Sequence, residues 1–226
     1  SAYPYPTGAM FRQSNGLKTI SGRILPLGGI SHITTICDNE GGYYPIIETD
    51  EHGFNNPKGL FKNFRVDIML TGDSFTLGGT VESSETISAV LREFGFNSIS
   101  IGNAANGSLI ELAALKEYAE PLKPKIVLWL YYKNDISGST IESLRAELSS
   151  SFLLKYMNEG NFSQNLISRQ EEIDSVLINY VREVWNREIE KQREIEKQRE
   201  IEKQREIEKQ REEKIINHWT IRVFKL

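Results

Sequence analysis

Apolar residues are not spread evenly along this chain. Between residues 66 and 131 they gather into three short, nearly continuous runs, Val66–Thr71, Ser98–Ile101 and Ile126–Tyr131. Between these runs, apolar positions recur every three or four residues over Ser83–Phe94 and Leu109–Glu120. Short apolar runs without alternation read as strands buried on both faces, and the intervening stretches read as helices. Ser83 or Ser84 is placed to cap the first helix, and Pro121 ends the second. Strands alternating with helices predict an α/β domain with a parallel sheet covered on both faces. In such sheets, sites form at the C-terminal ends of the strands.

The flanks follow other patterns. Residues 1–64 are rich in Gly, Pro, Asn and Tyr, with short strands expected at Ile20–Ile24, Ile33–Cys37 and Tyr43–Glu48. The run Thr49–Pro57 reads as a turn with Gly53 at its bend, in an irregular lead-in that packs on the domain. From Asn165 onward the chain reads as helical. Ile173, Val176, Leu177, Tyr180, Val181 and Val184 recur at spacings of three and four, which predicts one buried helix face over the end of an α/β domain spanning 65–186. The last segment, Ile215–Leu226, carries Trp219, Ile221, Val223 and Phe224 and is expected to return to the core.

Between these two segments the hexapeptide Arg-Glu-Ile-Glu-Lys-Gln repeats four times from Arg187 to Gln210 and trails off at Lys214. Six residues advance an α-helix by roughly 240°. Ile189, Ile195 and Ile201 therefore point in three directions, and no stripe forms for a coiled-coil seam. Opposite charges do fall at i,i+3, as in Glu188 with Lys191 and Glu190 with Arg193. The segment predicts a single solvated helix, serving as a spacer or as a contact surface for another protein.

Charge elsewhere is unremarkable once the repeat is set aside. The repeat and its tail hold ten basic and ten acidic residues, so the rest of the 226-residue chain carries the whole net charge of −4. No basic patch points to nucleic acid or to an anionic membrane surface. No run approaches the ~18 apolar residues of a membrane span. The lone Cys37 cannot form an internal disulfide and reads as an idle thiol. The chain opens on Ser1 rather than Met, which leaves its native N-terminus, any targeting segment and the compartment open.

Candidate chemistry sits where the three strands end. Gly72-Asp73-Ser74-Phe75-Thr76-Leu77-Gly78 follows the first strand, and a serine at a strand-to-helix turn can present its hydroxyl as a nucleophile. Gly102-Asn103-Ala104-Ala105-Asn106-Gly107-Ser108 follows the second strand, with a glycine that lets backbone N–H groups approach a ligand. Tyr132-Lys133-Asn134-Asp135 follows the third, where Asn134 can donate to an oxyanion. Taken singly, each reads equally as a cap, a loop or an Asx turn. In this order, over residues 49–185, they resemble the SGNH (GDSL-type) hydrolase family. Thr49–Pro57 and Phe162–Ile167 resemble its bacterial, envelope- or polysaccharide-associated subgroup.

The resemblance implies a three-layer, flavodoxin-like parallel sheet and a serine esterase working through an acyl-serine. Ser74 would be the nucleophile. The amides of Ser74 and Gly107 and the carboxamide of Asn134 would form the oxyanion hole, with Asp73 and Asp135 shaping their loops. The substrate would be a small acyl ester or an acylated glycan, with no metal or organic cofactor. An O-acyltransferase acting on a polysaccharide would use the same residues, and a non-catalytic, glycan-binding domain would keep only the fold. One family element is missing. The catalytic Asp-x-x-His has no counterpart, because the residues three before His32, His52 and His218 are Gly29, Thr49 and Ile215. Of the three, His52 in the upstream turn would be the substitute base. With three strands instead of the family's usual five, the chain is expected to be a C-terminally incomplete member, inactive in this form and with part of its core uncovered.

Overall fold

The computed structural model of the chain describes residues 16–37, 39–62, 65–131 and 138–223. The three apolar runs form one parallel sheet of β5 (Ile68–Thr71), β6 (Ser98–Ser100) and β7 (Ile126–Trp129), in the order β6-β5-β7. Ile68 pairs with Ser98 on one side and with Ile126 on the other. All four residues of β5 are buried, as expected of a central strand covered on both faces. β7 departs from that expectation. It is an edge strand, and Ile126, Val127, Trp129 and Tyr131 are between 44% and 57% exposed. The predicted cover on both faces therefore holds for β5 and β6 and fails at β7.

The helices keep their predicted places with altered ends. A single turn, α1 (Ser74–Leu77), follows β5, and α2 (Ile87–Glu93) is shorter than predicted. The cap of α2 is Thr86, whose hydroxyl accepts from the Ala89 amide; neither Ser83 nor Ser84 caps it. After β6, α3 (Ser108–Ala114) runs into a π turn at Leu115–Ala119 and a 3₁₀ turn holding Pro121. Beyond β7 come α4 (Gly138–Leu148), α5 (Ser151–Asn158) and α6 (Gln170–Val223).

The lead-in forms two antiparallel pairs, β1 (Leu17–Thr19) with β2 (Gly22–Ile24) and β3 (Thr34–Ile36) with β4 (Ile46–Glu48). The turn that follows β4 is built around one buried carboxylate. Asp50 accepts from the His52 amide at 2.8 Å, the Phe54 amide at 3.0 Å and Asn56 Nδ2 at 2.8 Å. Gly53 sits at the bend with φ +79°, and a Cβ there would lie 2.1 Å from the Gly29 carbonyl carbon. Asn56 then treats the edge of β6 as a strand would. Its Oδ1 accepts from the Ser100 amide at 2.9 Å and its Nδ2 donates to the Ser100 carbonyl at 2.8 Å. A side-chain amide thus satisfies an edge that would otherwise be open to another strand.

The stretch after α5 is pinned in the same manner. Gln164 accepts from the Leu25 amide and donates to its carbonyl. The buried Glu117 carboxylate accepts from the Tyr156 hydroxyl and from the amides of Gln164 and Leu166. Ile173 and Leu177 of α6 are fully buried, but Val176, Tyr180, Val181 and Val184 are only half-buried, so the predicted face fades along the helix.

Residues up to Asn179 make one compact unit and Tyr180–Leu226 a second. In the second unit, helix continues through the whole repeat, with Ile195, Ile201 and Ile207 exposed. The expected i,i+3 ion pairs are not seen: among the described residues, no ion pair lies within 187–214. Exposed pairs of this kind gain little and cost side-chain freedom. The side chains of Trp219, Ile221, Val223 and Phe224, expected to return to the core, lie outside the described residues. The chain continues as helix to Val223, and Ile215 and Ile216 are exposed.

Asp50 gives the unit a defined pH response. Burial pushes its carboxyl from the usual 3.8 up to about 7, against the hydrogen bonds from Asn56, Phe54 and His52 that pull it down. The folded value lies above the unfolded one, so between about pH 4 and 7 the folded state holds a proton that the unfolded chain has lost. This group's contribution is therefore fullest below about pH 4 and declines as pH rises to 7, by at most about 1.4 kcal/mol per unit. Urea unfolding at pH 5, 6 and 7 is expected to show that decline in the native chain, and to show it flattened in Asp50→Asn.

Candidate active site

The turn between β5 and α1 is shaped by a glycine and a capping aspartate. Asp73 is buried and its carboxylate accepts from the Phe75 amide at 3.0 Å, which starts α1 at Ser74. Gly78, with φ +65°, stops it one turn later. Ser74 occupies the first helical position and its side chain is exposed. Asp73 thus caps the turn, and Ser74 beside it is exposed to solvent.

The second loop is locked onto the first. Backbone bonding continues past the end of β6, where the Ile101 amide donates to the Leu70 carbonyl at 2.8 Å and the Asn103 amide donates to the Gly72 carbonyl at 3.3 Å. Gly102 lies against Thr76 of α1 so closely that a Cβ would sit 2.4 Å from the Thr76 Cβ. Buried Asn106 reaches the same Gly72 carbonyl through Nδ2 at 3.5 Å. The oxygens Thr76 Oγ1, Asn103 Oδ1 and Asn106 Oδ1 are buried without a hydrogen-bond partner. Ala105 holds φ +59°, an uncommon conformation for a residue with a Cβ. The loop thus holds one strained residue, Ala105, and two unmet polar oxygens, those of Asn103 and Asn106.

Gly107 ends the loop as the N-cap of α3. It supplies no capping side chain, and a carboxylate from α4 takes that place. Glu147, fully buried, accepts from the Leu109 amide at 3.0 Å through Oε2. Sequence reasoning missed this group, because a glutamate forty residues away on a polar helix carries no local signal. The third expected piece, Asn134 with Asp135, lies outside the described residues. The strand that leads to them is placed, however: the Leu130 amide donates to the Thr71 carbonyl at 2.9 Å, beside Gly72.

The histidines do not complete a triad in the described structure. His52 is buried, with Nδ1 3.2 Å from Gln170 Oε1. Its ring packs edge-on to Phe61 at 4.6 Å and tilted against Tyr118 at 5.5 Å. Burial holds its pKa below the ordinary imidazole value, partly offset by the hydrogen bond to Gln170. These are the surroundings of a core histidine, and none of its contacts is with Ser74. His32 is exposed at φ +54°, and the His218 side chain lies outside the described residues. Among the described residues, no group of three or more His, Cys, Asp or Glu side chains is arranged to hold a metal ion, and no helix is long and apolar enough to cross a membrane. Set against protein-family models, curated proteins and solved structures, the chain gives no match.

Two substitutions test this geometry in opposite directions. A Cβ on Gly72 would lie 2.1 Å from Thr76 Oγ1 and 2.9 Å from the Leu130 carbonyl oxygen. Gly72→Ala is expected to cost about 1–3 kcal/mol in chemical denaturation, the range for overpacking a tight site. Ala105→Gly removes the penalty of a left-handed residue and is expected to stabilise by up to about 1 kcal/mol in the same measurement.

Proposed function

We propose that the unit ending at Asn179 is a serine hydrolase domain of the SGNH type. Its substrate is a small acyl ester, and the acyl group of an acylated glycan fits the same chemistry. One observation carries the reading. Ser74 stands exposed on the first turn after the central strand β5, with the Gly102–Gly107 loop bonded to the same turn. The strand order, with the second strand and the third on either side of the first, fits the beginning of a flavodoxin-like sheet.

In the proposed reaction the Ser74 oxygen attacks the ester carbonyl carbon and loses its proton to a base. The amides of Ser74 and Gly107 and the carboxamide of Asn134 hold the resulting oxyanion. Collapse expels the alcohol and leaves an acyl-serine, which water hydrolyses. If a sugar hydroxyl replaces water, the same intermediate makes the domain an O-acyltransferase. The base is the part that residues 1–226 do not supply by motif, so attack by Ser74 in this chain is slow. That shortfall favours a second reading, in which the domain keeps the fold and binds an acylated glycan without turning it over.

The test supplies the missing base from solution. The chain is incubated with p-nitrophenyl acetate and with a serine-reactive phosphonate, with and without imidazole. Labelling at Ser74 that imidazole accelerates and Ser74→Ala abolishes is the expected result. Equal labelling of the native chain and Ser74→Ala would remove the hydrolase reading, and glycan binding without labelling would favour the second.

A further inference from the structure

We propose that Glu147 is a positioning residue for the Gly107 amide, and that position 107 is glycine because the Glu147 carboxylate fills the space of a side chain. The inference rests on the reading of Gly107 as an oxyanion donor and extends it to a residue on a different helix.

Three observations converge. First, Gly107 has φ −111° and ψ 175°, an extended conformation open to any residue, so backbone geometry does not require a glycine there. Second, the space beside its Cα is occupied. A Cβ at position 107 would lie 2.4 Å from Glu147 Oε1, 2.7 Å from Cδ and 2.8 Å from Oε2, clashing with the whole carboxylate. Third, that carboxylate performs the task of the missing cap. An N-cap side chain normally accepts from the second or third amide of its helix, and Glu147 accepts from Leu109, the second residue of α3.

The two features form one device. A capping side chain at 107 would tie the loop only to its own helix. A glycine lets α4 reach in and tie Gly107–Leu109 to a different part of the fold. Glu147 is fully buried, and its Oε2 accepts from the Leu109 amide at 3.0 Å. The direction of the Gly107 N–H is then fixed at both ends: by the Asn103–Gly72 bond at the start of the loop and by Glu147 at its end. Preorganised donors need this kind of support, because small displacements of an oxyanion donor cost much of its effect.

The test combines a double-mutant cycle with amide exchange and labelling. Gly107→Ala and Glu147→Ala are each expected to lower the Tm, and the double variant to melt no lower than Glu147→Ala alone, since the clash disappears with the carboxylate. Strictly additive losses would overturn the steric claim. In Glu147→Ala the Leu109 amide is expected to exchange at least about tenfold faster, whereas Glu147→Gln, which keeps an acceptor oxygen, preserves protection. Should Glu147→Ala not fold, Glu147→Asp, which withdraws the acceptor by one methylene, replaces it in every arm. Imidazole-assisted phosphonate labelling of Ser74 is expected to fall about tenfold or more in Glu147→Ala and to recover in Glu147→Gln. Unchanged labelling alongside a freed Leu109 amide would overturn the positioning role. A native chain that does not label at all would count against the hydrolase reading alone, with the melting cycle and the exchange data still deciding whether Glu147 holds Gly107.

Discussion

The candidate site depends on a hydrogen-bonded chain that starts in the lead-in. Asp50 folds its own turn and orients Asn56, and Asn56 bonds both backbone groups of Ser100 on β6. Ser100 in turn reaches α1, its hydroxyl donating to the Thr76 carbonyl at 3.0 Å. The neighbouring Asn55 donates to the Leu77 carbonyl at the end of the same turn. Two asparagines from an irregular loop therefore fix the short helix that presents Ser74. A four-residue helix has almost no stability of its own, so its position must come from such outside bonds. The electrostatic cost is borne by Asp50, whose carboxylate is buried among N–H donors.

A shared device recurs in the unit. Side-chain carboxylates and amides substitute for backbone partners where regular structure stops. Asn56 does so for β6, Gln164 for Leu25, Glu117 for the start of the 3₁₀ turn at Leu166–Arg169 and Glu147 for α3. Each satisfies a buried N–H that has no ladder or helix partner, as buried amides require. The small parallel sheet can thereby carry long irregular connections without leaving their backbone unbonded. It also makes the loops around Ser74 dependent on residues distant in sequence.

That dependence explains which features could be read from the sequence. The three apolar runs of the central sheet were legible because β5 and β6 are buried on both faces and leave no polar alternation. The helix after β5 was legible in place and not in extent. Ser83 and Ser84 look like caps as well as Thr86 does, and the helix is tied to β6 where the Ser98 hydroxyl donates to the Ser88 carbonyl. The placing of Ser74 and Asp73 was legible because a capping aspartate and an exposed serine at a tight turn are both local features. Glu147 was illegible for the opposite reason, since its meaning exists only when α4 lies against Gly107. His52 shows the limit on the other side. Its sequence setting in the upstream turn says nothing of its packing, and its contacts with Phe61, Tyr118 and Gln170 exist only in the folded unit.

The repeat region shows how far helix phase alone carries. A period of six cannot build an apolar stripe, and Ile195, Ile201 and Ile207 are accordingly all exposed, at 36%, 43% and 53%. What phase could not supply was the pairing of charges. The side chains stand in water, and a side-chain bond within the repeat joins Gln192 to Glu188 at 3.2 Å. The helix must therefore persist on backbone hydrogen bonds and on the propensities of Glu, Lys, Arg and Gln, each close to the best helix formers. Four identical blocks with no glycine, proline or β-branched residue other than isoleucine contain no site at which such a helix would break. Length can then change by whole blocks without disturbing what precedes it, because each added block turns the helix further without asking any new face to be buried.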